Sequence, residues 1–464
     1  MKARIGRARW AAVACCLSLA LAACGSSRSE EDIAAANAAL VRLGGGTSGS
    51  TQAGAGGLTG GGASTETGGS AAVGSSGGDA GASDTAGAGG DAGAAAAGGA
   101  AGAASGAPIR LGSVGTFSGP IGALLEAGRQ GILVWASWVN AHGGINGHPV
   151  EVVVADDQND PSQHQAAIRD MVEQQGVVAI INNLGPFTST AAVQYLEQNQ
   201  IPVIGGDAVS PAWTDSPVFF PASSNFDAFI GALATQAHLL GPGNLGILAC
   251  AESSFCTVGT NVVSEYAQRY EDIPVTYTAQ ITLTAPDYTA ECLAAEGNDV
   301  QYLIIGADAA TIGRIATSCA RQGYNPIYGV PSLTAVPALA ENPAITRLFS
   351  GQGFVPWFSS EVPAIAEYQE AMATYGGGAA PSSPSAGAWV AGKLLEAAAS
   401  RITGDVTSQA LLDALNSLSG DTLGGLTVPL TFGPTPRIQP DCFFWVEIDG
   451  GQWVAPRGSQ QVCN

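Results

Sequence analysis

From Ile109 onward the chain alternates short apolar runs with longer stretches whose hydrophobic residues recur at helical spacing. "IRLGSVG" (109–115), "PVEVVVA" (149–155), "VVAIIN" (177–182) and "IPVIGG" (201–206) have strand length and little polar alternation. Between the first two, Ile121, Leu124, Leu125, Gly128, Ile132, Trp135, Ala136 and Val139 repeat with the period of a helix that buries one side. Strands apolar on both faces and separated by helices pair in parallel and are covered by helices above and below. The pattern continues with strands expected at 244–249, 274–282, 300–305 and 326–329. Helices are expected near 188–198 and at 226–240, 257–270, 287–296, 309–322, 361–375, 384–401 and 407–417. "CFFWVEIDGGQWV" at the end reads as a hairpin turning at Asp449-Gly450-Gly451. The expected fold class is α/β, with doubly wound parallel sheets.

Local chemistry sets the boundaries. Gly143-Gly144 ends the first helix, because glycine accepts the left-handed conformation at the helix terminus. Asp160-Pro161-Ser162 opens the next, with an N-cap acid and a proline in the first turn. Asp156 and Asp157 lie between these landmarks, just past a strand. Acids there accept backbone N–H groups and face the positive end of a helix dipole. Paired catalytic carboxylates need separated acidities and a partner group, and the sequence signals neither, so the pair is expected to hold a turn.

The 464 residues do not form one folded body. Lys2, Arg4, Arg7 and Arg9 precede an apolar stretch, Trp10 to Ala23, that is too short to cross a bilayer comfortably. It ends in Leu21-Ala22-Ala23-Cys24, which resembles a bacterial lipobox with Cys24 as the lipidated residue; the alternative is an ordinary signal peptide with a chance cysteine. Residues 1–24 are thus expected to be a lipoprotein signal peptide and 25–107 a disordered Gly/Ala/Ser-rich tether without large side chains to bury. A Gly-rich coil of that length spans roughly 50 Å. No other segment is apolar enough to suggest a transmembrane helix.

The formal charge of −21, with Lys393 the single lysine after residue 24, repels phosphate backbones and argues against nucleic-acid binding. Six cysteines remain beyond Cys24, an even number that suggests disulfides in an oxidising compartment. Fifteen connectivities are possible in principle. Pairing of sequence neighbours is favoured: Cys250–Cys256, Cys292–Cys319 and Cys442–Cys463. Neither C-x-x-C spacing nor clustered histidines occur, so no metal is expected.

Three stretches carry a family resemblance: "IRLGSVGTFSGPIG", "INGHPVEVVVADDQNDPSQ" and "YLEQNQIPVIGGDAVSP". They are similar to periplasmic binding proteins of the branched-chain amino-acid (Leu/Ile/Val-binding) type, type I, and "PDYTAECLAAEGNDVQYLIIGADAATIGRIATSCARQGY" extends the likeness toward the C-terminus, over roughly 108–455 in all. The resemblance implies two lobes joined by three crossings, closing on a small ligand. Lobe one would be 108–227 plus 357–436, and lobe two 228–356 plus 437–464, with the last crossing near "TFGPTPRIQPD". It implies an extracytoplasmic, monomeric binding protein without cofactor or enzymatic activity, anchored by lipid and serving an ABC permease. The alternative is a sensor partner or surface-displayed receptor on the same fold.

Ligands of open parallel sheets sit beyond the carboxyl ends of the strands. The loops placed there contain Phe117 and Ser118; Gly185, Pro186, Phe187, Thr188 and Ser189; Asp207, Ala208 and Val209. On the second lobe they contain Phe255, Asp308 and Ser332. The hydroxyls of Thr188 and Ser189 suit a carboxylate, and Phe255 stands where relatives often pack a tyrosine on the ligand. The acid that amino-acid receptors aim at an ammonium would fall near Pro331-Ser332 and is missing. Asp207 or Asp308, both expected on the cleft rim, could replace it; otherwise the ligand is not a standard α-amino acid.

"GPGNLG" (241–246) fits G-x-G-x-x-G but follows a helix and precedes a strand, the wrong order for a dinucleotide. No G-x-S-x-G occurs in the part expected to fold, and the four histidines are scattered, so neither a hydrolase elbow nor a Ser-His-Asp arrangement is indicated. Trp135 lies on an apolar helix face and is expected in the core.

Overall fold

The computed structural model describes residues 104–464, apart from Ser253, Ile438 and Gln439 and the side chains of Pro120, Ile121, Ala123, Ser254 and Phe255. The expected signal segment, Cys24 and the tether up to residue 103 lie outside the described residues.

The first sheet contains β1 (Ile109–Gly115), β2 (Val150–Asp156), β3 (Ala179–Asn183), β4 (Val203–Gly206) and β5 (Phe219–Phe220), all parallel, in the order β2-β1-β3-β4-β5. Its connections hold α1 (Gly119–Ala141), α2 (Pro161–Glu173), a 3-10 turn (Ser189–Ala192) running into α3 (Val193–Gln198), and α4 (Ala212–Asp215). Gly143 and Gly144 take positive φ just after α1, and the Asp160 carboxylate accepts from the N–H groups of Ser162 and Gln163, as the turn chemistry predicts.

The second sheet follows. It contains β6 (Asn244–Cys250), β7 (Val275–Ile281), β8 (Val300–Gly306), β9 (Ile327–Gly329), β10 (Arg347–Gln352), β11 (Cys442–Asp449), β12 (Gln452–Val454) and β13 (Gln461–Cys463). Its order is β12-β11-β10-β9-β8-β6-β7, with β13 beside β11; β6 to β10 are parallel, and β11 turns antiparallel to β10. Four helices accompany it: α5 (Phe226–Leu240), α6 (Ser254–Ala267), α7 (Thr289–Gly297) and α8 (Ala309–Arg321), followed by the one-turn α9 (Pro337–Ala340). α5 and α6 pack on one face, while α7 and α8 enclose a separate core with Leu303, Ile305 and Ile315 on the other.

The chain then returns to the first sheet. α10 (Pro363–Tyr375) and α11 (Ser383–Ala399) pack on α1, and α12 (Ser408–Asn416) packs on α11. α11 is rich in alanine and glycine, so it approaches closely. The Trp135 ring lies against Gly392, where a Cβ would sit 2.4 Å from the ring, and its indole N–H donates to Glu396 at 2.7 Å. Trp135 is fully buried, the core role read from its helical position.

Three connections link the sheets: 221–225, 353–356 and 431–441. The first two are tied together with Thr427. Its hydroxyl donates to the carbonyls of Ala222 at 3.1 Å and Gly353 at 3.5 Å, and Ser224 N–H donates to Gly353 O. On the third, Arg437 is buried with its guanidinium on the carbonyls of Ser216, Pro217 and Phe219, and burial brings it down to about 10. The disulfides join the favoured pairs, Cys250–Cys256, Cys292–Cys319 and Cys442–Cys463.

Several elements depart from the sequence pattern. β10 was not expected: its Ser350 and Gln352 break the apolar run, yet both are buried, with Gln352 bonded to Ser350. α6 begins three residues before the expected 257, at Ser254. The helix expected near 188–198 divides into the 3-10 turn and the short α3.

Candidate functional site

The carboxyl ends of β3 and β4 lead into the loops 184–190 and 206–210. Ser189 is fully buried, and its hydroxyl faces that of Ser210 at 3.5 Å. Ser210 opens onto a groove walled by Pro186, Phe187, Ala208, Val209 and, from the next crossing, Asn225. Ser189 gives its proton to Ser210, which leaves the Ser210 hydroxyl to donate into the groove toward a carboxylate oxygen. The acids bordering this groove, Asp215 and Asp227, are exposed.

A buried network fixes the first loop. Asp157 is fully buried and accepts from the hydroxyls of Thr116 at 2.7 Å and Thr188 at 2.5 Å, from Asn159 N–H at 2.9 Å and from His164 Nδ1 at 2.8 Å. Burial favours the neutral acid, but the bonds from His164, Thr188 and Thr116 outweigh it and hold the carboxyl below its usual range. The geometry is structural rather than nucleophilic. Thr188 and Asp157 both meet His164 at Nδ1, while Nε2 is buried without a hydrogen-bond partner among the described residues. No base therefore stands ready to take a hydroxyl proton and pass it on. Asp156 accepts from the N–H groups of Phe117 and Gln158, so both acids of the pair hold the turn.

A second space opens between the sheets. A partly open cavity of about 60 Å³ lies at the carboxyl ends of β6 and β8, floored by Ile247, Ala249, Ile304 and Gly306. α6 supplies Gly259, Thr260 and Val263, and the Cys250–Cys256 bridge forms part of the wall. From the first sheet's side come Leu124 and Leu125 of α1 and the same Pro186 and Phe187 that wall the groove. Leu333 completes the roof and joins Leu125, Leu184 and Phe117 in a small apolar cluster.

The expected residues divide accordingly. Pro186, Phe187 and Asp308 line the cavity, and Ala208 and Val209 line the groove. Thr188 is turned inward to Asp157, and Gly185 packs over His164, which a Cβ would strike at 2.8 Å. Phe117 sits in the apolar cluster, and Ser118 is exposed with its hydroxyl on Asp156. Ser332 is buried in a 3-10 turn (Ser332–Thr334) whose Leu333 and Thr334 face the cavity. The side chain of Phe255 lies outside the described residues.

Asp207 corrects the expectation of a rim acid. It is buried, and its carboxylate accepts from Val209 N–H at 2.9 Å and Trp213 Nε1–H at 3.3 Å; burial pushes it up to about 7. Asp308 reaches the cavity but caps α8, accepting from Thr311 N–H at 3.0 Å and from the Thr311 hydroxyl. Ser210 was not singled out by sequence, although it is the hydroxyl residue of the 206–210 loop. The apolar lining from α1 and α6 gave no signal apart from helical periodicity.

The family model described as periplasmic binding protein matches residues 108–452. Leu/Ile/Val-binding protein homolog 7 of Brucella abortus (strain 2308) is 30% identical over 109 residues, 24% of this chain and 27% of that protein; its counterpart in Brucella suis biovar 1 (strain 1330) is 31% identical over the same length. The chain thus spans little more than a quarter of these curated relatives. Among solved structures, a branched chain amino acid ABC transporter from Thermus thermophilus with bound valine has a TM-score of 0.68 at 15% identity, covering 77% of this chain and 97% of that one. A fatty acid ABC transporter substrate-binding protein from Thermomonospora curvata has a TM-score of 0.63 at 20% identity, covering 76% and 92%. At these identities the structures share the fold.

Proposed function

Because the chain belongs to the periplasmic binding protein family, whose members bind solutes outside the cytoplasm and are not enzymes, we propose that it is a lipid-anchored, monomeric receptor that closes on one small carboxylate-bearing solute and delivers it to an ABC importer. The observation that carries this reading is the groove-facing Ser210 hydroxyl, supported by buried Ser189, placed at strand ends of one sheet and separated by Pro186 and Phe187 from a cavity built largely by the other. A ligand touching both sides stabilises the closed arrangement by its differential contacts, and the three connections are the places that must bend. In this reading the moving lobes are 108–227 plus 357–436 and 228–356 plus 437–464. Neighbouring folds named for bound valine and for fatty acid are compatible with a carboxylate-bearing solute of either kind.

Intrinsic fluorescence tests the proposal directly, since Trp213 lies beside the groove loop and Trp357 follows the second connection. Amino acids, amides and small organic acids are titrated against the full chain and against Ser189→Ala and Ser210→Ala. A saturable change that weakens about tenfold in each variant is expected. Silence across the whole panel, or affinity unchanged from the parent in both variants, refutes it. A second reading, a sensor partner or surface-displayed receptor, is favoured by the long Gly/Ala/Ser tether (25–107). Growth of a deletion strain on the ligand as sole source separates the two: transport predicts a defect, and sensing predicts none.

A further inference from the structure

The cavity at the ends of β6 and β8 has a composition that narrows the ligand further, granted the receptor reading above. About 60 Å³ is enough for roughly four waters at about 15 Å³ each. Such a space holds four methylene- or methyl-sized groups, the bulk of an isobutyl or butyl chain. Its lining is hydrocarbon and disulfide sulfur, with Thr260 and Thr334 as the neutral polar exceptions.

An α-amino acid also brings an ammonium, which must find a counter-charge once it leaves water. Asp308 is the one charged residue among the described lining residues, and it is already engaged. Its two oxygens receive the Thr311 N–H and the Thr311 hydroxyl, and that hydroxyl also takes a bond from the Arg314 guanidinium at 2.8 Å. Asp207 is turned into the interior beneath the groove loop, and Asp215 and Asp227 stand in solvent, where an ion pair contributes little. A donor for a carboxylate and an apolar space are therefore present, while Asp308 already has a partner on each oxygen and Asp207, whose Oδ2 has no hydrogen-bond partner among the described residues, lines neither space.

We propose that the ligand is a short-chain monocarboxylate lacking an α-ammonium, with its carboxylate on the Ser210 hydroxyl that Ser189 supports from behind and a hydrocarbon body of about four carbons in the cavity between the sheets. The Pro186-Phe187 pair, which borders both spaces, sets the distance between head and tail. Gly259 gives a clean handle on the tail site. It lies on α6 facing the cavity, and a Cβ built on it meets nothing within 4 Å. Leucine at this position fills the space while improving helix propensity, so the fold is retained.

The experiment is calorimetric titration of the full chain with straight-chain carboxylates from acetate to heptanoate, and with leucine beside its deaminated analogue 4-methylpentanoate. Affinity is expected to rise about fourfold per added carbon, the equivalent of burying one methylene, and to level off near pentanoate. 4-Methylpentanoate is expected to bind at least tenfold more tightly than leucine, and Gly259→Leu to weaken pentanoate at least tenfold with no loss of thermal stability. Leucine binding as tightly as its analogue, affinity independent of chain length, or no carboxylate binding at all overturns the inference. Fluorescence with a metabolite extract separates this failure from a wider one. A response to extract without carboxylate binding leaves the receptor reading standing, and no response to extract removes that as well.

Discussion

Replacing Asp207 by asparagine should change how stability depends on pH, and the size of the change follows from its surroundings. The carboxyl is buried, accepts from Val209 N–H and Trp213 Nε1–H through Oδ1, and leaves Oδ2 without a geometrically sound partner among the described residues. Desolvation outweighs those bonds and moves the group from its ordinary value of 3.8 to about 7. The folded chain thus holds this proton more tightly than the unfolded chain does. Its stabilising effect is complete below 3.8 and is lost as pH rises from there through about 7. A displacement of about three units corresponds to about 4 kcal/mol. Asparagine keeps the shape and has no charge to bury, so Asp207→Asn should match the parent near pH 4 and exceed it by up to about 4 kcal/mol at pH 8. Any fixed cost of placing an amide NH₂ near Gly185 cancels in the difference between the two pH values. Urea unfolding of both proteins at pH 4, 6 and 8 measures this. A stability difference that does not vary with pH, or that turns against the variant as pH rises, would show that the carboxylate is compensated in the folded state and refute the reasoning.

Other substitutions probe the scaffold beneath the site. Thr188→Val removes a hydroxyl from buried Asp157; it should cost about 2 kcal/mol in urea unfolding and weaken ligand binding, because Ser189 rides on the same loop. Arg437→Met strips donors from the carbonyls of Ser216, Pro217 and Phe219; it should destabilise by about 3 kcal/mol, with Arg437→Lys intermediate, measured the same way. The double variant Cys250→Ser, Cys256→Ser opens a short loop at the cavity wall; about 2 kcal/mol of stability should be lost together with ligand affinity, whereas opening Cys442–Cys463, on the far strands β11 and β13, should leave affinity unchanged.

The fold was legible because its signals are local and redundant. Ile109–Gly115 is a short strand buried at every position but Arg110, Asp160-Pro161 is a strong helix start, and Asp449-Gly450-Gly451 is a turn that the φ angles of 58° and 77° at the two glycines bear out. β10 is not legible because its buried polar residues find their partners in the fold: the Gln352 amide donates to Ser350 and its carbonyl oxygen accepts from Ser383, which sequence spacing does not reveal. The site was harder to read for the same reason. Thr188, Ser189, Asp207 and Ser210 are all small polar residues in two adjacent loops, and composition cannot say which of them turn inward. Asp157 and His164 claim Thr188, burial claims Asp207, and Ser189 and Ser210 are left facing each other. The apolar cavity depends on residues from α1, β6, β8 and α6 that meet only through tertiary packing.

The account rests on a solute held unchanged between two sheet-bearing halves. Mass spectrometry of the small molecules released by denaturing freshly purified protein tests that most directly. It should reveal one dominant carboxylate, near one per chain, that returns at the same mass after prolonged incubation with refolded protein and quenches or enhances its fluorescence on rebinding. No retained molecule and no response to any carboxylate, or steady conversion of the released compound to a product, would contradict the account.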